Sequence, residues 1–243
     1  GYSQNDVREL ARVLTGWTVD PDNPSGFRFA ARLHDTGRKT VMGQQYPLSF
    51  SREGVREGED AIRALARHPS TARRICLRLA QYFVADQPTP ALVQTLSQTY
   101  LSTQGDIRQV LRSLLESPDF WHPNNRLFKT PLEFAFSALA ATDAVGDRPE
   151  GRRWALTLAF LDGAGQPLHG WQTPDGYKFD AATWLIPEAL TRRADFALTL
   201  ARQAESVDFL MPYMSQSTRT SVAQERPAMQ AGLLLASPDF MNK

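Results

Sequence analysis

The sequence predicts a mainly α fold, a multi-helix bundle with one small β-hairpin insertion, and three observations carry that prediction. Apolar residues recur at helical spacing through most of the 243 residues. Helix start and stop signals punctuate the chain at short intervals. Alternation with period two is convincing in one place only, near residues 27–43.

Taken in order, Ser3 with Asp6 resembles a capping box, and Val7, Leu10, Ala11 and Leu14 form an apolar stripe that ends at Gly16, giving a helix over about 4–15. Phe27, Phe29, Ala31 and Leu33 then alternate with Arg28, Ala30 and Arg32. They predict a strand that turns at His34-Asp35-Thr36-Gly37 and returns through Thr40-Val41-Met42. A helix over about 53–67 would turn Ala61, Ile62, Leu65 and Ala66 inward. Ser70 is placed to cap the next, with Ala72, Ile75, Cys76, Leu79, Ala80 and Phe83 on its buried face. Thr89-Pro90 opens a helix closed by Gly105, and Asp106 caps another through Leu115. Thr130-Pro131-Leu132-Glu133 is the strongest capping box and leads a helix to about 144. A charged linker, Gly146 to Arg153, precedes a helix ending at Asp162, and further helices are expected at about 181–185, 187–204 and 219–236. The expectation is therefore about nine helices in a single domain over 1–243, which would subdivide, if anywhere, near 146–153. Leu114 to Phe120 and Leu234 to Phe240 echo one another, which reads as one helix-stop solution used twice.

Composition excludes several classes. At 42% hydrophobic residues and net charge +1, disorder is excluded, and no apolar run approaches the ~20 residues of a membrane span. A dedicated nucleic-acid binder would carry a domain-wide excess of Lys and Arg, so no nucleic-acid partner is expected. The single cysteine, Cys76, rules out an intramolecular disulfide within these residues and a Cys-rich zinc site. It falls on an inward helical face, as an inert buried thiol does. No HExxH spacing unites His34, His68, His122 and His169, no Gly-x-Ser-x-Gly elbow exists, and Gly163-Ala164-Gly165 lacks the rest of a phosphate-binding fingerprint, so no metal and no cofactor are expected.

Three features remain. Asp35-Thr36-Gly37 carries the tripeptide of aspartic proteases, but without apolar flanking strands or a second copy it reads as a polar hairpin tip. In a functional version of that tip, His34, Asp35, Arg38 and Lys39 hold a small anion or a metal. The irregular segment Gly163 to Asp180 stands out in a helical chain. Trp171 and Tyr177 can offer flat faces to a sugar or peptide while His169, Gln172 and Asp175 supply hydrogen bonds; the alternative is that both rings plug the bundle from outside. Arg67, Arg73, Arg74 and Arg78 lie close in sequence to Glu57, Glu59 and Asp60, which reads as a solvated face of mixed charge.

Gly1-Tyr2-Ser3-Gln4-Asn5-Asp6-Val7 through Leu14-Thr15-Gly16-Trp17 resembles the second half of a large bacterial family, domain of unknown function 1800. His34 to Gly43, His68-Pro69-Ser70-Thr71-Ala72-Arg73, Phe83-Val84-Ala85-Asp86, Gly105-Asp106-Ile107, Lys129 to Phe134, Gly165-Gln166-Pro167 and Pro174-Asp175-Gly176-Tyr177 continue the match in order. The resemblance implies a mostly helical protein, periplasmic or secreted, encoded beside a secreted protein similar to sulfatases and alkaline phosphatases. It also implies that an upstream half precedes Gly1. It supplies no catalytic residues. Two functions follow as expectations: a non-catalytic accessory or binding protein that acts with the sulfatase- or phosphatase-like partner or a polysaccharide, and a hydrolase-like enzyme whose site joins His34, Asp35 and the Asp175 loop to the upstream half.

Overall fold

The computed structural model describes residues 1–47, 54–142, 151–202, 204 and 206–243. Among them are twelve α-helices and four short strands, in two compact units: Gly1–Arg78 with Thr89–Ser117, and Leu79–Pro88 with Pro118–Lys243.

In the first unit, α1 (Gln4–Val13) begins at the expected capping box, in which the Ser3 hydroxyl accepts from the Asp6 amide and the Asp6 carboxylate accepts from the Ser3 amide. Its buried face differs from the expected stripe: Val13 is wholly buried, whereas Val7 is exposed. The region 17–46 holds two hairpins rather than one. Strand β1 (Trp17–Val19) pairs with β2 (Phe27–Phe29), and β3 (Lys39–Val41) pairs with β4 (Gln44–Tyr46), both antiparallel. The expected partnership of 27–33 with 40–42 fails because the extended chain of β2 stops at Phe29 and β3 finds a mate two residues away, in β4, at low loop-closure cost. Met42 and Gly43, with φ of 48° and 82°, form the tight positive-φ turn that closes β3 onto β4. Ala31–Leu33 is a 3-10 turn.

The outer edge of β3 is covered by side chains. The Thr40 amide donates to Glu9 at 3.0 Å and the Met42 amide to Asp6 at 2.6 Å, so two carboxylates of α1 satisfy amides that would otherwise template another strand.

Helix α2 (Gly54–Ala66) buries Gly54, Glu57, Gly58 and Ala61, not the expected Ile62 and Ala66, which face outward. A Cβ on Gly58 would fall 2.4 Å from the Trp17 ring and one on Gly54 2.7 Å from the His34 ring, so these glycines let two rings lie directly on the helix. Helix α3 (Pro69–Phe83) is entered through His68, whose Nδ1 accepts from the Ser70 amide at 3.1 Å, so His68 rather than Ser70 performs the capping. Ala72, Cys76 and Ala80 are its fully buried face, and burial pushes the Cys76 thiol up. Helices α4 (Pro90–Ser102) and α5 (Ile107–Leu115), capped by Thr89 and Asp106 as expected, pack on one another with Leu96, Val110 and Leu114 wholly buried.

The second unit comprises α6 (Pro131–Ala141), α7 (Gly151–Gly163), α8 (Ala181–Trp184), α9 (Pro187–Ala201), α10 (Gln216–Ala223), α11 (Pro227–Leu235) and α12 (Pro238–Met241). The Thr130/Glu133 capping box is present at the start of α6. The expected continuation to 144 and the linker residues 146–150 lie outside the described residues. The single helix expected over 219–236 is two, because Pro227 has no amide to continue α10. Phe160 and Phe196 stack at 4.4 Å, with Phe134 beside both, at the centre of an aromatic core. Helices α9 and α11 meet closely at Gly232, where a Cβ would sit 2.4 Å from Leu198 Cδ2. The echoed segments do end helices alike: the Ser117 amide donates to Leu114 O and the Ser237 amide to Leu234 O, at 3.1 and 3.2 Å.

Candidate functional site

In the first unit the sequence-predicted tip residues are turned inward. Residues 34–38 connect the 3-10 turn to β3 and are not the tip of a hairpin. The Lys39 side chain has no exposed surface; its ammonium lies 2.8 Å from Glu57 Oε1 and donates to Asp35 O. His34 Nδ1 donates to Thr15 O at 2.8 Å and Nε2 sits 3.2 Å from Glu57 Oε2, so both ring nitrogens face an acceptor and the ring is nearly buried. Asp35 accepts from Arg12 Nε at 2.8 Å and from the Gly37 amide at 2.8 Å, while Arg12 also pairs with Glu9 at 2.7 Å. The Arg12 guanidinium first, and the Gly37 amide next, hold the Asp35 carboxyl down to about 2. Arg12 and the Thr40 amide likewise hold Glu9 below the usual carboxylate range. Of the four residues, Arg38 alone is exposed. In place of the expected exposed hairpin tip, His34, Asp35 and Lys39 are engaged with Thr15, Arg12 and Glu57 and clamp β3 to α1 and α2. Glu57, the residue that joins His34 to Lys39, was not singled out from sequence. Its signal was a carboxylate between Gly54 and Gly58, on the small-residue face of the helix.

The second unit contains His169, Trp171, Asp175 and Tyr177, in a loop built from the core outward. Gln166 is buried and its Oε1 accepts from the Leu132 amide at 2.8 Å, which anchors the loop's start on α6. The Tyr177 hydroxyl donates to Pro167 O at 2.7 Å and ties the two arms together. A Cβ on Gly170 would fall 2.5 Å from Pro167, so the close crossing requires that glycine. The loop's end is fixed by the Ala181 amide, which donates to Asp86 at 2.8 Å, and by Trp184 Nε1, which donates to Lys178 O at 2.9 Å. Three rings run outward in series: Trp184 in the core, Tyr177 at 6.3 Å from it, and Trp171 at 5.0 Å from Tyr177. Trp171 is 42% exposed, yet its Nε1 donates to Asp175 Oδ1 at 2.9 Å, and Thr173 donates to the same oxygen. Asp175 therefore orients Trp171. His169 is exposed at φ 58°, and Gln172 is exposed beside the ring.

The second unit also holds two cations away from full solvent that periodicity did not reveal, Arg193 buried and Lys129 half-buried. Arg193 is fully buried; Nη2 donates to Lys129 O at 2.7 Å and the guanidinium lies 4.5 Å from the Phe128 ring and 5.0 Å from the Phe134 ring. Its Nε and Nη1 have no hydrogen-bond partner among the described residues, and burial pushes the group down to about 10, still charged at neutral pH. Lys129 donates to Phe240 O at 2.7 Å from above the Phe240 ring, and burial pushes it down to about 8.

Among the described residues no group of three or more His, Cys, Asp or Glu is placed to hold a metal ion, and no helix is long and apolar enough to cross a membrane. No curated protein and no solved structure matches the chain. A family model described as Protein of unknown function (DUF1800) matches residues 1–242. The match runs through both units and takes in the clamp at 34–39 and the loop at 165–180, and on that evidence the chain belongs to the DUF1800 family.

Proposed function

We propose that this protein is a non-catalytic binding protein, exported from the cell, which uses the Trp171 loop to engage a secreted sulfatase- or phosphatase-like partner. The observation that carries this reading is the state of Trp171. A solvent-facing indole is ordinarily free to reorient, but this one is stacked on Tyr177 and hydrogen-bonded to Asp175, and Tyr177 is fastened to Pro167 and backed by Trp184. A rigid, amphipathic, pre-positioned ring loses little entropy on binding, which is how aromatic residues come to dominate recognition surfaces. Binding is favoured over catalysis by the first unit, where His34, Asp35 and Lys39 are engaged with Glu57, Arg12 and the backbone and leave no ring nitrogen or carboxylate for proton transfer.

The test is capture of the neighbouring secreted sulfatase- or phosphatase-like protein by the full-length chain, with and without soluble polysaccharide as competitor. Trp171→Ala is expected to weaken capture at least tenfold, as loss of a central aromatic contact does. Because the ring is on the surface, the melting temperature should move little. Undiminished capture by Trp171→Ala overturns the proposal. Retention on the polysaccharide alone, lost in the same variant, would move the ligand from protein to sugar.

A further inference from the structure

The first unit contains a cavity of about 530 Å³ that neither the clamp nor the Trp171 loop uses. This lies within the ~300–1,000 Å³ of small-molecule sites. Its walls are Val7 and Leu10 of α1, Val41 and Met42 of the β3–β4 hairpin, Leu65 of α2 and Ile75 of α3. Val7 remains 44% exposed there.

The polar atoms around the cavity decide what it takes. Asp6 is already saturated: Oδ1 accepts from the Met42 amide at 2.6 Å, and Oδ2 accepts from the Ser3 amide at 2.7 Å and the Ser3 hydroxyl at 2.6 Å. The Thr71 hydroxyl is spent on Leu65 O at 2.7 Å, and His68 Nδ1 on the Ser70 amide. What remains around the cavity is His68 Nε2, the Tyr2 and Ser70 hydroxyls and the Arg74 guanidinium, none with a partner among the described residues. Each free group can donate, and Arg74 brings a full positive charge, beside walls of hydrocarbon. A peptide would bring backbone amides and carbonyls that such walls cannot satisfy. A cationic ligand would meet Arg74.

We infer that this cavity is a binding site for an acyl-chain monoanion, with the chain against Val7, Leu10, Met42 and Ile75 and the carboxylate on Arg74 and His68. A bidentate carboxylate–guanidinium contact suits an otherwise unpaired arginine at an apolar mouth. The same head-and-tail chemistry is offered by free fatty acids and by anionic lipids in a bilayer, and a volume of about 530 Å³, that of a site for one small molecule, favours the free acid.

The test is calorimetric titration of the whole chain with hexanoate, octanoate, decanoate and dodecanoate, with decanol and decyltrimethylammonium as head-group controls. Affinity should rise about threefold to fourfold per added methylene until the cavity is filled. Arg74→Ala should weaken decanoate about tenfold and leave decanol unchanged. Val7→Trp, a change at a surface-accessible position that projects bulk into the cavity, should abolish binding of all chains while circular dichroism stays native. Affinity that is independent of chain length, decyltrimethylammonium binding as tightly as decanoate, or undiminished binding by Val7→Trp would each overturn the assignment. So would sedimentation with phosphatidylglycerol vesicles in the absence of any decanoate binding, which would make the cavity a membrane contact.

Discussion

The two units bury charge in opposite ways. The first places Lys39 beside Glu57, sets His34 on the other carboxylate oxygen and covers the arrangement with the Arg12–Asp35 pair. The second buries Arg193 and half-buries Lys129 with no ion pair to either among the described residues, and holds them with backbone carbonyls and the faces of Phe128, Phe134 and Phe240. The contrast follows from what surrounds the charges. The apolar packing beside the clamp is a cluster of only four buried residues, Val13, Val41, Tyr46 and Ala61, next to two short hairpins, so polar clips must fix the strands. The second has an aromatic core large enough to solvate a cation by its π-faces. An ion pair is specific but fails badly when half of it is removed; a cation on aromatic faces forgives its own removal.

That comparison is most exposed to failure at Glu57. Glu57→Gln leaves the Lys39 ammonium buried without its counter-charge and deprives His34 of its partner, and breaking a buried pair in this manner costs about 3–5 kcal/mol. Urea unfolding should show the loss, and amides of β3 and α2 should lose hydrogen-exchange protection first. The double change Lys39→Met with Glu57→Leu should recover most of the loss. A cost below about 1 kcal/mol for Glu57→Gln would mean that the clamp does not hold the hairpin.

Arg193→Met sharpens the other side. It gives up one hydrogen bond to Lys129 O and the contacts with two rings, but it also removes a buried charge with two unpartnered N–H groups. The first loss is worth about 1–3 kcal/mol and the relief of desolvation offsets part of it. The net cost should be under half that of Glu57→Gln, read from the same denaturation curves. If the two substitutions cost the same, the units do not differ in the manner argued.

The sequence made the local devices legible and concealed the long-range ones. The capping boxes at Ser3 and Thr130 and the caps at Thr89 and Asp106 are written within four residues and were found. Strand pairing depends on which of several short segments meet. The alternation of Phe27 to Leu33 points to a hairpin across 34–37, whereas the pairings formed are β1 with β2 and β3 with β4. Of the site residues, Trp171, Asp175 and Tyr177 were legible because aromatic and acidic residues stood out in an irregular, glycine-rich segment. Glu57 and Arg193 were not, since a charged residue in a helix reads as solvent-facing until tertiary structure supplies Lys39 or Phe128. Arg67, Arg73, Arg74 and Arg78 read from sequence as a solvated face of mixed charge, whereas Arg74 lines the apolar cavity.

The smallest expected effect is also the one that separates the units without disrupting either. Asp35 is held down to about 2 against ~3.9 in the unfolded chain, so its contribution is complete above about pH 4 and is lost as pH falls through 2. Lys129 is pushed down to about 8 against ~10.4 unfolded. Between those values the unfolded chain binds the extra proton, so the contribution of Lys129 to stability grows as pH rises from about 8 to 10. Urea midpoints measured across pH 2–10 should therefore show an acid limb that flattens in Asp35→Asn and an alkaline limb that flattens in Lys129→Met. Each substitution should leave the opposite limb unchanged. Should Asp35→Asn alter the alkaline limb as much as the acid one, the ion-paired clamp and the aromatic cation site are not independent, and the two ways of burying charge are parts of one network.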